Sequence, residues 1–109
     1  PASQAALARV KPTTPAVAAR FEVFCGGIEL ANGFHELNDA AEQRRRFVAD
    51  IEKRRAAGRH VPPLDEQLLG ALPTLPDCAG VALGFDRLVA LATGSSALTA
   101  VLAFAHGKR

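Results

Sequence analysis

Gly26-Gly27 separates two β-prone runs, R-F-E-V-F-C (20–25) and I-E-L-A-N-G-F-H-E-L (28–37), and no other feature restricts the fold as tightly. A Gly-Gly pair tolerates positive φ at both positions of a two-residue loop, so the runs are predicted to fold back as an antiparallel hairpin. With that loop, Cys25 faces Ile28, Phe24 faces Glu29, Val23 faces Leu30 and Glu22 faces Ala31. Glu22, Phe24, Glu29 and Ala31 then share one face, and the two carboxylates are diagonal neighbours roughly 7–8 Å apart. Asn32, Phe34 and Glu36 alternate with period two, and parity puts them on the face opposite Glu29. Gly33 is the expected position of a bulge or twist that re-aims this trio, since strand-interior glycines mark bulges and close backbone approach. Two acids on one face can share a cation. Alternating glutamates fit the wet side of a half-buried sheet equally well, and spacing alone leaves both readings open.

The rest of the chain supplies helices and loops. Pro12 and Pro15 break any helix near the start, so residues 1–19 read as an extended segment, a loop and a short turn at Ala16 to Arg20. Asp39, with Glu42 three positions on, resembles a capping box and opens a helix from Ala40 to about Ala57, with Gly58 as its C′ residue. Ala40, Phe47, Val48 and Ile51 form its apolar stripe, while Arg44, Arg45, Arg46, Lys53, Arg54 and Arg55 belong to a solvated face or, alternatively, a dock for an acidic partner. Asp65 to Leu72 is a short helix with Leu68, Leu69 and Leu72 inward. Gly80 to Gly84 suits a buried strand, and R-L-V-A-L-A-T after Asp86 a helix stopped at Gly94. Ser95 or Ser96 caps a last short helix over Leu98 to Leu102, ahead of a basic tail.

Composition narrows the class. A length of 109 residues bounds one domain with a modest core, and 49% apolar residues argue for a globular chain. A net charge of +2 is too small to demand a nucleic-acid partner. No apolar run approaches the roughly 18–20 residues needed to span a bilayer, and no leader pattern precedes the fold, so the implied location is cytoplasmic. Cys25 and Cys78 lie far apart without clustered histidines, which argues for two buried free thiols and against zinc.

Residues 20–39 carry a longer pattern: Arg20-Phe21-Glu22, Gly26-Gly27, Glu29, Asn32-Gly33-Phe34 and Glu36-Leu37-Asn38-Asp39. This resembles the region ahead of motif 3 in class II lysyl-tRNA synthetases, and G-V-A-L-G-F-D-R (80–87) resembles motif 3 itself. Ala82 stands where those synthetases carry the middle glycine of G-x-G-x-G-x-D-R. That departure and the opening P-A-S-Q-A-A-L-A are similar to the bacterial branch that lacks the anticodon-binding domain, the elongation factor P (R)-β-lysine ligases. The resemblance implies an α+β fold, an antiparallel sheet with flanking helices, in which residues 1–109 form the C-terminal portion of a catalytic domain. Motifs 1 and 2 are not in the sequence, so the segment alone is expected to be inactive.

The same resemblance implies roles. Glu22 and Glu29 would hold Mg²⁺, Arg87 would be the catalytic arginine that also stacks on ATP, and Gly84 would let the backbone approach the nucleotide. Asn32, Phe34, Glu36, Gly80 and Ala82 would form the pocket for lysine or β-lysine, with Glu36 reading the side-chain ammonium. The acceptor would be elongation factor P, or tRNA-Lys in the alternative of a lysyl-tRNA synthetase, and the full-length parent would be a homodimer. A truncated, non-catalytic binding domain is a third reading. His35, alternating away from the trio, reads as a packing or surface histidine.

Overall fold

The hairpin forms as the glycines dictate, and its register decides the rest of the architecture. The computed structural model describes residues 1–105. In it β3 (Arg20–Cys25) and β4 (Ile28–His35) meet across Gly26 and Gly27, both at positive φ (56° and 78°). Cys25 pairs with Ile28 and Phe24 with Glu29, as the loop length requires, but Val23 then pairs with Ala31 and Glu22 with Asn32. Leu30 is therefore the extra residue, and the bulge sits there, not at Gly33. Gly33 is needed for a different reason: a Cβ at this position would lie 2.4 Å from the Phe21 ring and 3.1 Å from the Gly80 carbonyl oxygen. It is a site of close approach and stays in regular pairing with Phe21 and, on the other side, Val81.

The third strand of the sheet, β5 (Ala79–Leu83), pairs antiparallel with β4, giving the order β3-β4-β5. This corrects the expectation of a buried strand. β5 is an edge, with Val81 63% and Leu83 53% exposed. A continuous apolar run is typical of buried strands, but here one face of the sheet is apolar and uncovered.

The opening segment also departs from expectation. Ala2–Gln4 is a turn of 3₁₀ helix, and β1 (Val10–Lys11) and β2 (Val17–Ala18) pair as a second small sheet, so Val17–Ala18 is strand and Arg20 already opens β3 where a turn was expected. The prolines here break helix without preventing extended pairing, because Pro12 and Pro15 lie in the connection.

Three helices flank the sheet: α1 (Ala40–Ala56), α2 (Glu66–Ala71) and α3 (Phe85–Thr93). Asp39 caps α1 by accepting from the Glu42 backbone N–H at 3.0 Å, and Asp65 caps α2 the same way from Leu68 at 2.9 Å. Gly58 and Gly94 end α1 and α3 at positive φ, as anticipated. On α1 the most buried residue is Gln43, with Phe47 and Ile51 half-buried, whereas Val48 is exposed. On α2 Leu69 is buried and Leu68 faces solvent. Past α3, the last element is a 3₁₀ turn (Leu98–Ala100) capped by neither serine side chain, and the basic tail lies outside the described residues.

The arginines of α1 pair locally and face water except for Arg46, which is half-buried and also donates to the Ala6 and Ala8 carbonyls at 2.9 and 2.8 Å. Arg44 holds Glu66 through two contacts, Arg54 holds Asp50, Arg55 holds Glu52, and Arg45 and Arg46 both hold Glu42. Exposed pairs of this kind add little to stability, and their mutual neutralisation leaves little charge for an acidic partner. The Glu42 carboxyl is held below its ordinary value of 4.5, first by its hydrogen bond to Arg46 and then by that to Arg45. A carboxylate lowered in the folded state stabilises fully above its unfolded pKa and loses that contribution as pH falls through the folded value. Glu42→Gln should therefore lower the melting temperature at neutral pH, with the deficit beginning to shrink as pH falls below 4.5 and vanishing only below the lowered value of the folded state. A deficit that persists in acid would show that Glu42 acts by packing instead.

The core is small. Ala5, Ala8, Ala31, Leu69 and Ala90 are its buried apolar residues, and no large side chain among the described residues is fully enclosed. The radius of gyration is 17.5 Å, against about 13 Å for a compact chain of this length. The molecule is elongated, 45 × 32 × 29 Å, and among the described residues little packs on the sheet face that carries Phe21, Val23, Val81 and Leu83.

Candidate functional site

The bulge at Leu30 reverses the parity of β4, and this assembles the site. A one-residue insertion moves every following side chain to the other face. Glu29 faces Phe24, yet Asn32 faces Glu22 and Phe34 faces Arg20, so all six stand on one face of the sheet. On the opposite flank of β4, Asn32 pairs with Ala82 and Phe34 with Gly80. Cross-strand pairs share a face, so the methyl of Ala82 stands beside Asn32 and the bare Cα of Gly80 beside Phe34. The residues assigned by resemblance are thus neighbours on three strands, although the sequence argument placed the device that gathers them three residues too late.

The acidic pair is already engaged. Glu22 forms an ion pair with Arg20, and Glu29 accepts from the Asn32 amide at 3.4 Å. Arg20 in turn lies over the Phe34 ring, 5.5 Å from its centroid, and donates to the Gln4 carbonyl at 2.9 Å. Arg20 has no assigned role in the sequence reading; its period-two relation to Glu22 is the signal that would have found it. No cluster of three or more His, Cys, Asp or Glu occurs among the described residues. The two carboxylates on one face offer the oxygen donors that a hard cation such as Mg²⁺ would take, and Glu22 and Glu29 are the residues that would hold it.

Arg87 comes in from α3. Its guanidinium donates to the Glu29 carbonyl at 2.7 Å, and its aliphatic stem passes close to Gly84, where a Cβ would stand 3.1 Å from Cδ. The arginine is thereby held against β4 beside one of the two acids and is not paired with Asp86. Gly84 itself is the residue before α3, and its N–H donates to the Leu30 carbonyl at 2.8 Å. The bulge and the start of the motif 3 helix are tied by one hydrogen bond.

At the other end of the row, Glu36 lies against β5. A Cβ on Gly80 would fall 2.4 Å from a Glu36 carboxylate oxygen, so the missing side chain of Gly80 is the space the carboxylate occupies. The Glu36 backbone is fixed on both sides, its N–H donating to Cys78 at 3.0 Å and its carbonyl accepting from Arg9 at 2.8 Å. Concave surface flanks the row along its β3 side and beyond Glu36. One open groove borders Arg20 and Glu22, and an apolar cavity of about 340 Å³ lies beyond Glu36.

His35 points to the other face and contacts Asp77 at 2.6 Å, where Arg9 also reaches Asp77 at 2.9 Å. The Asp77 carboxyl is held below its ordinary value by the His35 contact and then by Arg9. This trio pins the N-terminal segment to the lead-in of β5, consistent with a surface role for His35. Cys25 is exposed and Cys78 half-buried, which corrects the expectation of two buried thiols. Cys25 borders the hairpin tip, where neither face of the sheet is covered. No helix among the described residues is long and apolar enough to cross a membrane.

Known proteins share this arrangement of sequence. Proteins named elongation factor P–(R)-β-lysine ligase from Salmonella dublin, Salmonella heidelberg (strain SL476) and Salmonella enteritidis PT4 (strain P125109) are each 58% identical to the chain over 105 residues. Those matches cover 95% of this chain and 32% of each relative, so the chain spans about a third of their length. Residues 1–108 match the family model of class II tRNA synthetases (D, K and N), and with nearly its whole length matched the chain belongs to that family.

Proposed function

We propose that this segment is the C-terminal portion of the catalytic domain of an ATP-dependent ligase that activates (R)-β-lysine as its adenylate and transfers it to a lysine of elongation factor P. The observation that carries the reading is the convergence on one sheet face of Glu22, Glu29, Asn32, Phe34 and Glu36, with Gly80 and Ala82 opposite and Arg87 at the end. The names of the relatives supply the substrate and the acceptor.

Each residue then has a physical task. Glu36, recessed over Gly80, pairs with the side-chain ammonium; an analogue without the amine would leave that carboxylate unpaired. Phe34 walls the pocket, and Asn32 donates to the substrate carboxylate to fix the oxygen that attacks the α-phosphorus of ATP, with pyrophosphate leaving. Arg87 stacks its planar cation on the adenine and balances phosphate charge, with Gly84 leaving room for its stem. Glu22 and Glu29 would hold Mg²⁺, which supplies charge neutralisation at the phosphates when bound. Arg20, now paired to Glu22, must release it for that role and is itself a cation within reach of the same phosphates. A homodimer, Mg²⁺ dependence and a cytoplasmic setting belong to the same proposal.

ATP–pyrophosphate exchange in a polypeptide carrying this segment within the complete class II domain tests the reading. Exchange dependent on (R)-β-lysine, followed by transfer to elongation factor P, is the expected result. Exchange with α-lysine only, with transfer to tRNA-Lys, would replace it with lysyl-tRNA synthetase activity. No exchange with either amino acid would leave a binding domain. Within that assay, Ala82→Gly removes the methyl beside Asn32 and should shift the preference toward α-lysine by about tenfold, the worth of one or two buried carbons. Unchanged preference would show that Ala82 does not set the choice.

A further inference from the structure

Gln43 is buried to 2% exposure, and its Nε2 has no hydrogen-bond partner among the described residues. It projects from the first turns of α1 and lines the 340 Å³ cavity together with Glu36, Gly80, Leu37, Leu72 and Leu75. Buried amide N–H groups nearly always find an acceptor, so one left over calls for a partner that arrives with a ligand or moves when a ligand binds. Nearby carbonyls are already engaged: Leu7 accepts from the Leu37 N–H, Cys78 from the Glu36 N–H and Leu75 from the Asn38 amide. The acidic side chain lining the cavity is Glu36.

An ammonium–carboxylate pair in an apolar cavity is favourable only when further hydrogen bonds satisfy the lone pairs and protons the two ions leave over. A primary amide can serve both ions, because it carries a donor for the carboxylate and an acceptor for the ammonium. We propose that Gln43 is a specificity-determining residue of the amine-reading end of the site. Its Nε2 donates to the Glu36 carboxylate and its Oε1 accepts from a primary ammonium whose aliphatic stem lies along Leu37, Leu72 and Leu75. The proposal rests on Glu36 reading an amine. It adds that Gln43, seven residues further on and on a different element, decides how strongly a charged amine is preferred over a neutral group of the same shape.

The test uses a polypeptide carrying this segment within the complete class II domain, with the Gln43 side-chain N–H₂ pair assigned from heteronuclear spectra. Titration with n-pentylammonium should shift the Gln43 pair, and 1-pentanol should bind about tenfold more weakly, the scale of one hydrogen-bonded charge. Gln43→Met keeps the length and removes donor and acceptor; it should lower the amine-over-alcohol preference about tenfold while raising the melting temperature, since an unpaired buried amide disappears. Glu36→Gln should erase the preference altogether. If Glu36→Gln erases it and Gln43→Met leaves it intact, the Gln43 proposal is overturned and the reading of Glu36 stands. If Glu36→Gln changes nothing, the reading beneath it fails as well. Should Gln43→Met not fold, the wild-type titration decides alone, and a Gln43 pair unmoved by saturating pentylammonium overturns the proposal.

Discussion

Inserting one alanine between Val23 and Phe24 is expected to abolish adenylate formation in the complete domain, while Leu30→Ala retains it within about tenfold. The inserted residue gives Leu30 a partner on β3, so the ladder becomes regular and the bulge disappears. Alternation then places Glu29 and Asn32, three positions apart, on opposite faces: Asn32 and Phe34 stay with Glu22 and Arg20, and Glu29 turns to the apolar face with Ala31. Glu22 and Glu29 no longer share a face. The backbone at Leu30 changes with it, disturbing the bond its carbonyl accepts from the Gly84 N–H and so the start of α3 and Arg87. Leu30→Ala keeps the backbone and the bulge and costs only side-chain burial, on the order of 2–3 kcal/mol for a half-buried leucine. Pyrophosphate exchange separates the two variants, with far-UV circular dichroism as the control for fold. An insertion variant that folds and exchanges normally would show that the face composition described above is not what binds substrate.

Glu36→Gln is the second large effect. Under the proposed activity, kcat/KM for the amine-bearing amino acid should fall about 10²–10³-fold, or about 3–4 kcal/mol, because the ammonium then enters an apolar recess without its counter-charge. The half-buried position of Glu36 keeps the figure below that of a fully enclosed pair. Stability should change little, since Glu36 is anchored by its backbone and not by its carboxylate. Gly80→Ala offers an independent route to the same end. The added Cβ would displace the carboxylate oxygen now 2.4 Å from that position, and a flexible glutamate can swing aside at modest cost to the fold. Both variants should raise KM for the amino acid far more than KM for ATP. Equal loss toward the two substrates would mean that Glu36 supports the sheet and does not read the amine.

The two outcomes bear on how the site could be read from residues. Glu22, Glu29, Asn32, Phe34, Glu36, Gly80, Ala82 and Arg87 were all nameable from spacing together with family likeness, and the tight turn at Gly26-Gly27 followed from φ alone. The bulge was foreseen as a necessity, since parity otherwise sends the trio to the wrong face, but it was assigned to Gly33. Glycine is the usual sequence mark of a bulge; Leu30 bears no such mark, because a bulge placed by cross-strand pairing needs no special residue. Gly33 was spent on something the one-dimensional pattern hides, the approach of the Phe21 ring and the Gly80 carbonyl. Gln43 was invisible for a similar reason. On a helix dense with arginine it looks like one more polar residue, and only the packing of α1 against Leu37 and Leu72 makes it the most deeply buried of them.

By itself, then, the order of residues determined the Gly26-Gly27 hairpin and where α1, α2 and α3 start or stop, because those choices depend on φ preferences, short-range hydrogen bonds and alternation within a few positions. Tertiary structure decided which face of β4 each later side chain occupies, that β5 is an uncovered edge, and that Arg87 reaches Glu29 from 58 residues away. Those outcomes depend on register and on contacts between distant parts of the chain, where a single inserted residue outweighs any local preference.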